Sequence, residues 1–152
     1  STLFPYTTLF RSPYRWPRHI AHEQRSVGLI EQLCARLRIP NAYRELAVLV
    51  GRYHLIAHKI AEVRPATLLD LLENLDAFRR PERFEQFVIA CEADARGRKG
   101  LEDRDYPQAD RLRAALELAA GVRLDEAARA GLNGPQIAAK LRKERVLRLA
   151  QL

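Results

Sequence analysis

Pro65-Ala-Thr-Leu-Leu-Asp-Leu-Leu-Glu-Asn-Leu-Asp-Ala-Phe78 is the stretch that decides the fold class of this chain. A proline has a fixed φ and no N–H, so Pro65 suits the first position of a helix. Leu68, Leu69, Leu71, Leu72, Leu75 and Phe78 then recur at helical spacing. So many apolar side chains in under four turns predict a deeply buried helix, and a buried helix needs other helices around it.

The segments on either side supply them. Upstream, residues 20–38 place Val27, Leu29, Ile30, Leu33, Cys34 and Leu37 on one expected buried stripe. Pro40 ends that helix, because a proline disfavours the α conformation in the residue before it. Asn41 is then the expected N-cap of a second helix reaching about Ile60, with Tyr43, Leu46, Ala47, Val50, Tyr53 and Ala57 on one face. Downstream, Pro81 opens a fourth helix that points Phe84, Phe87, Val88 and Cys91 inward and ends near Gly97. Residues 98–107 are polar, contain Gly100 and Pro107, and read as a loop. An Ala/Leu-rich helix from Gln108 to Ala120 follows, then a short one over 124–130 stopped by Gly131. Asn133-Gly134-Pro135 starts the last helix, which reaches Ala150. The expected architecture is all-α, an irregular helical bundle with a seam at the 98–107 loop. No repeat of 20 to 50 residues is visible.

The one strand-like run is Thr2–Ser12, TLFPYTTLFRS. It resembles the conceptual translation of a short-read sequencing adaptor, and we set residues 1–12 aside as non-native. The chain contains no Met, so it reads as a piece of a longer protein.

The formal net charge is +7, which points to a polyanionic partner, nucleic acid first, against the alternative of a merely solvated basic surface. No apolar run approaches the length of a bilayer span, so no membrane is expected. Cys34 and Cys91 lie apart, each within a helical apolar pattern. They read as small core residues of a protein in a reducing, cytoplasmic compartment.

Three groups of residues could carry chemistry. His19/His22 and His54/His58 form two close pairs; an i,i+4 pair shares a helix face and could share a metal ion, or could serve only as caps or surface groups. Glu92-Ala-Asp94-Ala-Arg96-Gly-Arg98 sets two acids among arginines. Acid–base work is one reading. A helix-end ion-pair network that docks the following loop is favoured, because arginines beside carboxylates keep them ionised. The last helix carries Lys140, Arg142, Lys143, Arg145 and Arg148 against the single acid Glu144, and begins beside Gly134. A helix N-terminus with a glycine admits a phosphate closely, and basic side chains add counterion-release affinity, so these six residues are the expected RNA contacts.

Longer motifs in fixed order carry a resemblance. They are Trp16-Pro-Arg-His-Ile-Ala-His-Glu23, Leu29–Asn41, Arg64–Leu69, Asp76–Arg83, Cys91–Arg98, Asp105-Tyr-Pro-Gln108 and the Gly131-Leu-Asn-Gly-Pro135 turn with its basic helix. From about Trp16 onward the chain resembles the C-terminal, helical part of bacterial CCA-adding tRNA nucleotidyltransferases. The resemblance implies a division into residues 13–62, the end of an HD phosphohydrolase domain, and residues 63–152, a tRNA-binding body and tail. It implies tRNA as partner, and a head, absent here, that binds ATP and CTP and uses Mg²⁺. It also implies a divalent metal such as Ni²⁺ for the HD domain, with His22 and His54 at the positions of two family histidines. The His-Asp doublet diagnostic of that domain is missing, and Leu55 stands where relatives often have Asp. A metal-dependent phosphohydrolase acting on 2′,3′-cyclic phosphates is therefore the alternative function. The first expectation is tRNA binding by a portion that is catalytically inert alone.

Overall fold

The computed structural model describes residues 22–97 and 99–152, with side chains from Ser26 onward. The adaptor-like run, Trp16, His19 and the side chain of His22 lie outside the described residues, as does Arg98. Among the described residues seven helices follow in order: α1 His22–Arg36, α2 Asn41–His58, α3 Pro65–Asn74, α4 Pro81–Arg96, α5 Pro107–Gly121, α6 Glu126–Arg129 and α7 Gly134–Leu149. Among the described residues there is no strand, so the all-α reading holds.

The leucine-rich segment forms the centre. Leu68, Leu69, Leu71, Leu72 and Leu75 are all buried in α3 and its C-cap, and Pro65 is the first helical residue. They join Phe84, Phe87, Val88 and Cys91 from α4, Ala109, Leu112, Ala115 and Ala119 from α5, and Leu149 from α7 in one continuous core. Ala57 and Ile60 reach the same core from the end of α2. The buried thiol of Cys91 is pushed up to about 12, first by burial and then by the charge of Asp94. Neither cysteine is in a disulfide.

Three expectations are corrected. Asn41 does not cap α2: Pro40 occupies the N-cap position and Asn41 is the first helical residue. The second helix stops at His58, and Ile60 reaches the core from the turn that follows. The stripe on α1 is not buried as a whole. Among the described side chains of that stripe only Cys34 is buried, while Leu29, Leu33 and Leu37 are 66%, 46% and 56% exposed, and Tyr43 of α2 is exposed as well. The spacing identified a helix correctly, and of that stripe it is Ile30, with Ser26 beside it, that faces α2 at Gly51, while Cys34 is buried. The two helices approach closely at Gly51, where a Cβ would stand 2.7 Å from Ile30 Cδ1 and the end of that side chain would have to shift.

Candidate nucleic-acid interface

The last helix begins as its sequence indicates. Asn133 Oδ1 accepts from the Gln136 N–H at 3.0 Å, and Gln136 Oε1 accepts from the Asn133 N–H at 2.9 Å, a reciprocal capping box. Gly131 sits at φ +73° directly after the α6 cap, the left-handed position that favours glycine. This arrangement limits the turn as an anion site. Pro135 has no N–H, and that of Gln136 is taken, so the N–H of exposed Gly134 is what remains to meet a phosphate.

The five cations of α7 divide into two sets. Arg142 is a bridge to α3: it pairs with Asp70 at 2.6 Å and with Glu73. Its hydrogen bond to Asp70, above all, raises its pKa. Arg145 lies over the Phe78 ring at 4.2 Å and donates to the Ala119 carbonyl at 3.2 Å; burial lowers its pKa. Lys140 donates to the Ala128 carbonyl at 3.0 Å. These three hold α7 to α3, α5 and α6. Lys143 and Arg148 are exposed, Arg148 reaching only Gln151 on its own helix end.

The histidines are placed differently from one another. His54 lies on α2 with Nδ1 2.9 Å from the Val50 carbonyl. His58, one turn on, is central to a contact no sequence pattern indicated. Its Nε2 is 2.9 Å from Asp94 Oδ2, and its Nδ1 is 2.9 Å from the Tyr106 hydroxyl. The carboxylate accepts the Nε2 proton; with the imidazole neutral, the phenol donates to Nδ1. Burial, ahead of the nearby Cys91 and Asp94 charges, raises the Tyr106 pKa and keeps that O–H protonated. This chain of three joins the end of α2, the end of α4 and the start of α5. A cleft of about 600 Å³ opens beside it, lined in part by Arg96, Arg104 and Gln108.

The acid–arginine run on α4 behaves as a docking network. Arg96 pairs with Glu92 at 2.8 Å and donates to the Arg104 carbonyl at 2.9 Å, which fixes the 98–107 loop to the helix end. Its two acids are not positioned as an acid–base pair, since Asp94 is taken by His58. Among the described residues, no group of three or more His, Cys, Asp and Glu side chains is placed to hold a metal ion. Both ring nitrogens of His58 are engaged, and Nδ1 of His54 faces a backbone carbonyl, so these side chains do not form a metal site together.

The chain matches the multifunctional CCA protein of Nitrosococcus oceani at 53% identity over 138 residues, 91% of this chain and 34% of the relative. That of Thioalkalivibrio sulfidiphilus is 56% identical over 136 residues, and that of Alkalilimnicola ehrlichii 57% identical over 137, each covering 90% of this chain and 33% of the relative. This chain is a homologue of part of the multifunctional CCA proteins. It spans about a third of the length of the curated relatives it matches. No protein-family model matches the chain, and no solved structure does. The homology agrees with the motif resemblance from Trp16 onward and with a helical chain rich in arginine.

Proposed function

We propose that this chain is the tRNA-holding helical portion of a CCA-adding nucleotidyltransferase, in which residues 13–62 are the end of an HD domain and residues 63–152 the body and tail. The observation that carries this reading is identity above 50% over nine-tenths of the chain with part of the multifunctional CCA proteins. The net charge of +7 on an all-helical scaffold supports it, because folded RNA is bound through shape and phosphates. The nucleotide chemistry, with ATP, CTP and Mg²⁺, belongs in this reading to the part of the relatives that the chain does not span. The HD-type phosphohydrolase with Ni²⁺ or another divalent ion is the weaker reading, since the described histidines do not assemble a metal site.

A filter-binding titration with a tRNA transcript tests the proposal. Binding is expected to weaken tenfold or more between about 50 and 200 mM salt, as counterion release at several phosphates requires. Absent binding, or binding indifferent to salt, would overturn it.

A further inference from the structure

Three cations lie along one face of α2, Arg44 and Arg52 within the helix and Lys59 at its C-cap. Arg44, Arg52 and Lys59 are separated by eight and seven residues, two turns each, so they line up over about 22 Å of helix length. All three are exposed, and among the described residues no ion pair engages any of them.

Several cations elsewhere are neutralised within the fold, although Arg36, Arg38, Arg64, Arg129 and Lys143 are, like these three, exposed and without an ion pair among the described residues. Arg113 is neutralised by Glu85, Arg142 by Asp70 and Glu73, and Arg96 by Glu92. The acid beside Arg44 on α2 is Glu45, and it turns away to α4, 3.3 Å from Arg80 and from Arg83. The cations on this face are therefore left uncompensated, while on α7 Arg142 is neutralised by Asp70 and Glu73, and Lys140 and Arg145 are tied to backbone carbonyls. A row of unpaired cations along one helix face fits a row of fixed anions.

We infer that the Arg44–Arg52–Lys59 face of α2 is the principal phosphate-contacting surface of the chain, and that its partner is the sugar-phosphate backbone of tRNA. The inference rests on the tRNA-binding reading above and moves its main contact from α7 to α2. Exposed cations with no internal partner can be removed at little cost to the fold, so affinity and folding are separable here.

The test compares wild type, the triple variant R44A/R52A/K59A, the charge-keeping triple R44K/R52K/K59R and the α7 pair K143A/R148A. Each is titrated with one tRNA transcript across a salt series, with circular dichroism as the check on folding. The alanine triple is expected to lose tenfold or more in affinity near 100 mM salt, and its log K against log salt slope to flatten by about two to three, the counterion release of three phosphate contacts. The charge-keeping triple is expected to bind as wild type. Wild-type affinity and slope in the alanine triple would overturn the inference. So would a larger loss from K143A/R148A, or failure of the charge-keeping triple to bind. A wild type that binds no tRNA at all would instead overturn the reading on which the inference rests.

Discussion

Arg113 shows what a charge pair does in this molecule. Its guanidinium makes three hydrogen bonds to the Glu85 carboxylate, from Nη2 at 2.5 Å and from a bifurcated Nε at 3.0 and 3.2 Å, and a fourth to Asp110 at 3.3 Å. The hydrogen bond from Arg113, above all, holds the Glu85 carboxyl below its ordinary value of 4.5. A carboxylate whose pKa is lower folded than unfolded adds stability above the unfolded value, and that stability is lost as pH falls through the folded one. Both side chains are about two-fifths exposed, so solvent screens the pair. Arg113→Ala is therefore expected to cost about 0.5–1 kcal/mol near pH 7 and close to nothing near pH 2, measured by urea unfolding at both values. A cost that stayed constant across that range would assign the effect to lost packing of the arginine stem instead. The His58–Asp94–Tyr106 chain works at the same scale but was invisible in the sequence, because its members are 36 and 48 positions apart. No local spacing signals such a contact. Only the packing of α2, α4 and α5 against one core brings the three side chains together.

At the level of elements, local chemistry was legible at most helix starts, though not at Asn41, where Pro40 takes the cap position of α2. Pro65, Pro81 and Pro107 each stand at the first turn of a helix, and Asn133 forms the expected start of α7. Asn133→Ala removes the acceptor for the Gln136 N–H and is expected to destabilise by about 1 kcal/mol, seen as a lower urea midpoint at unchanged slope. Asn133→Asp restores the acceptor and is expected to recover most of that loss; a variant as weak as alanine would show that the capping box is not what starts the helix. Legibility ended where an element's neighbours decide the outcome. The spacing of Leu29, Leu33 and Leu37 predicted a helix, yet says nothing about which side meets α2, and it is Ile30 that faces α2 at Gly51. The five cations of α7 looked equivalent in sequence. Arg142 proved to be paired with acids 69 and 72 positions away, a distance over which composition carries no information.

At the scale of the whole molecule, cohesion is uneven, and this has a measurable consequence. The continuous core runs from Ala57 to Leu149 and draws on α2, α3, α4, α5 and α7. Cys34, the one buried side chain described on α1, is not part of it. Helix α1 packs chiefly on α2, and Leu29, Leu33 and, just beyond its end, Leu37 stay open to solvent, so its hold on the molecule runs through one neighbour and not through the shared core. Helix α3 is the opposite case, since its removal would expose five buried leucines at once. Native-state hydrogen exchange is therefore expected to divide the chain. Amides of α3, α4 and α5 should exchange only with global unfolding, giving one shared free energy and full dependence on denaturant. Amides of α1 should exchange through a local opening, at a free energy several kcal/mol lower and with little denaturant dependence. Protection in α1 equal to that in α4 would mean that α1 is bound into the cooperative unit by contacts beyond those described. The same division bears on the RNA surface. The Arg44–Arg52–Lys59 face belongs to α2, which is anchored in the core at Ala57, so the cations stay aligned when α1 opens. If that face meets tRNA, saturating tRNA should slow exchange in α2 and leave the α1 opening nearly unchanged. Protection confined to α7 would place the RNA on that helix instead.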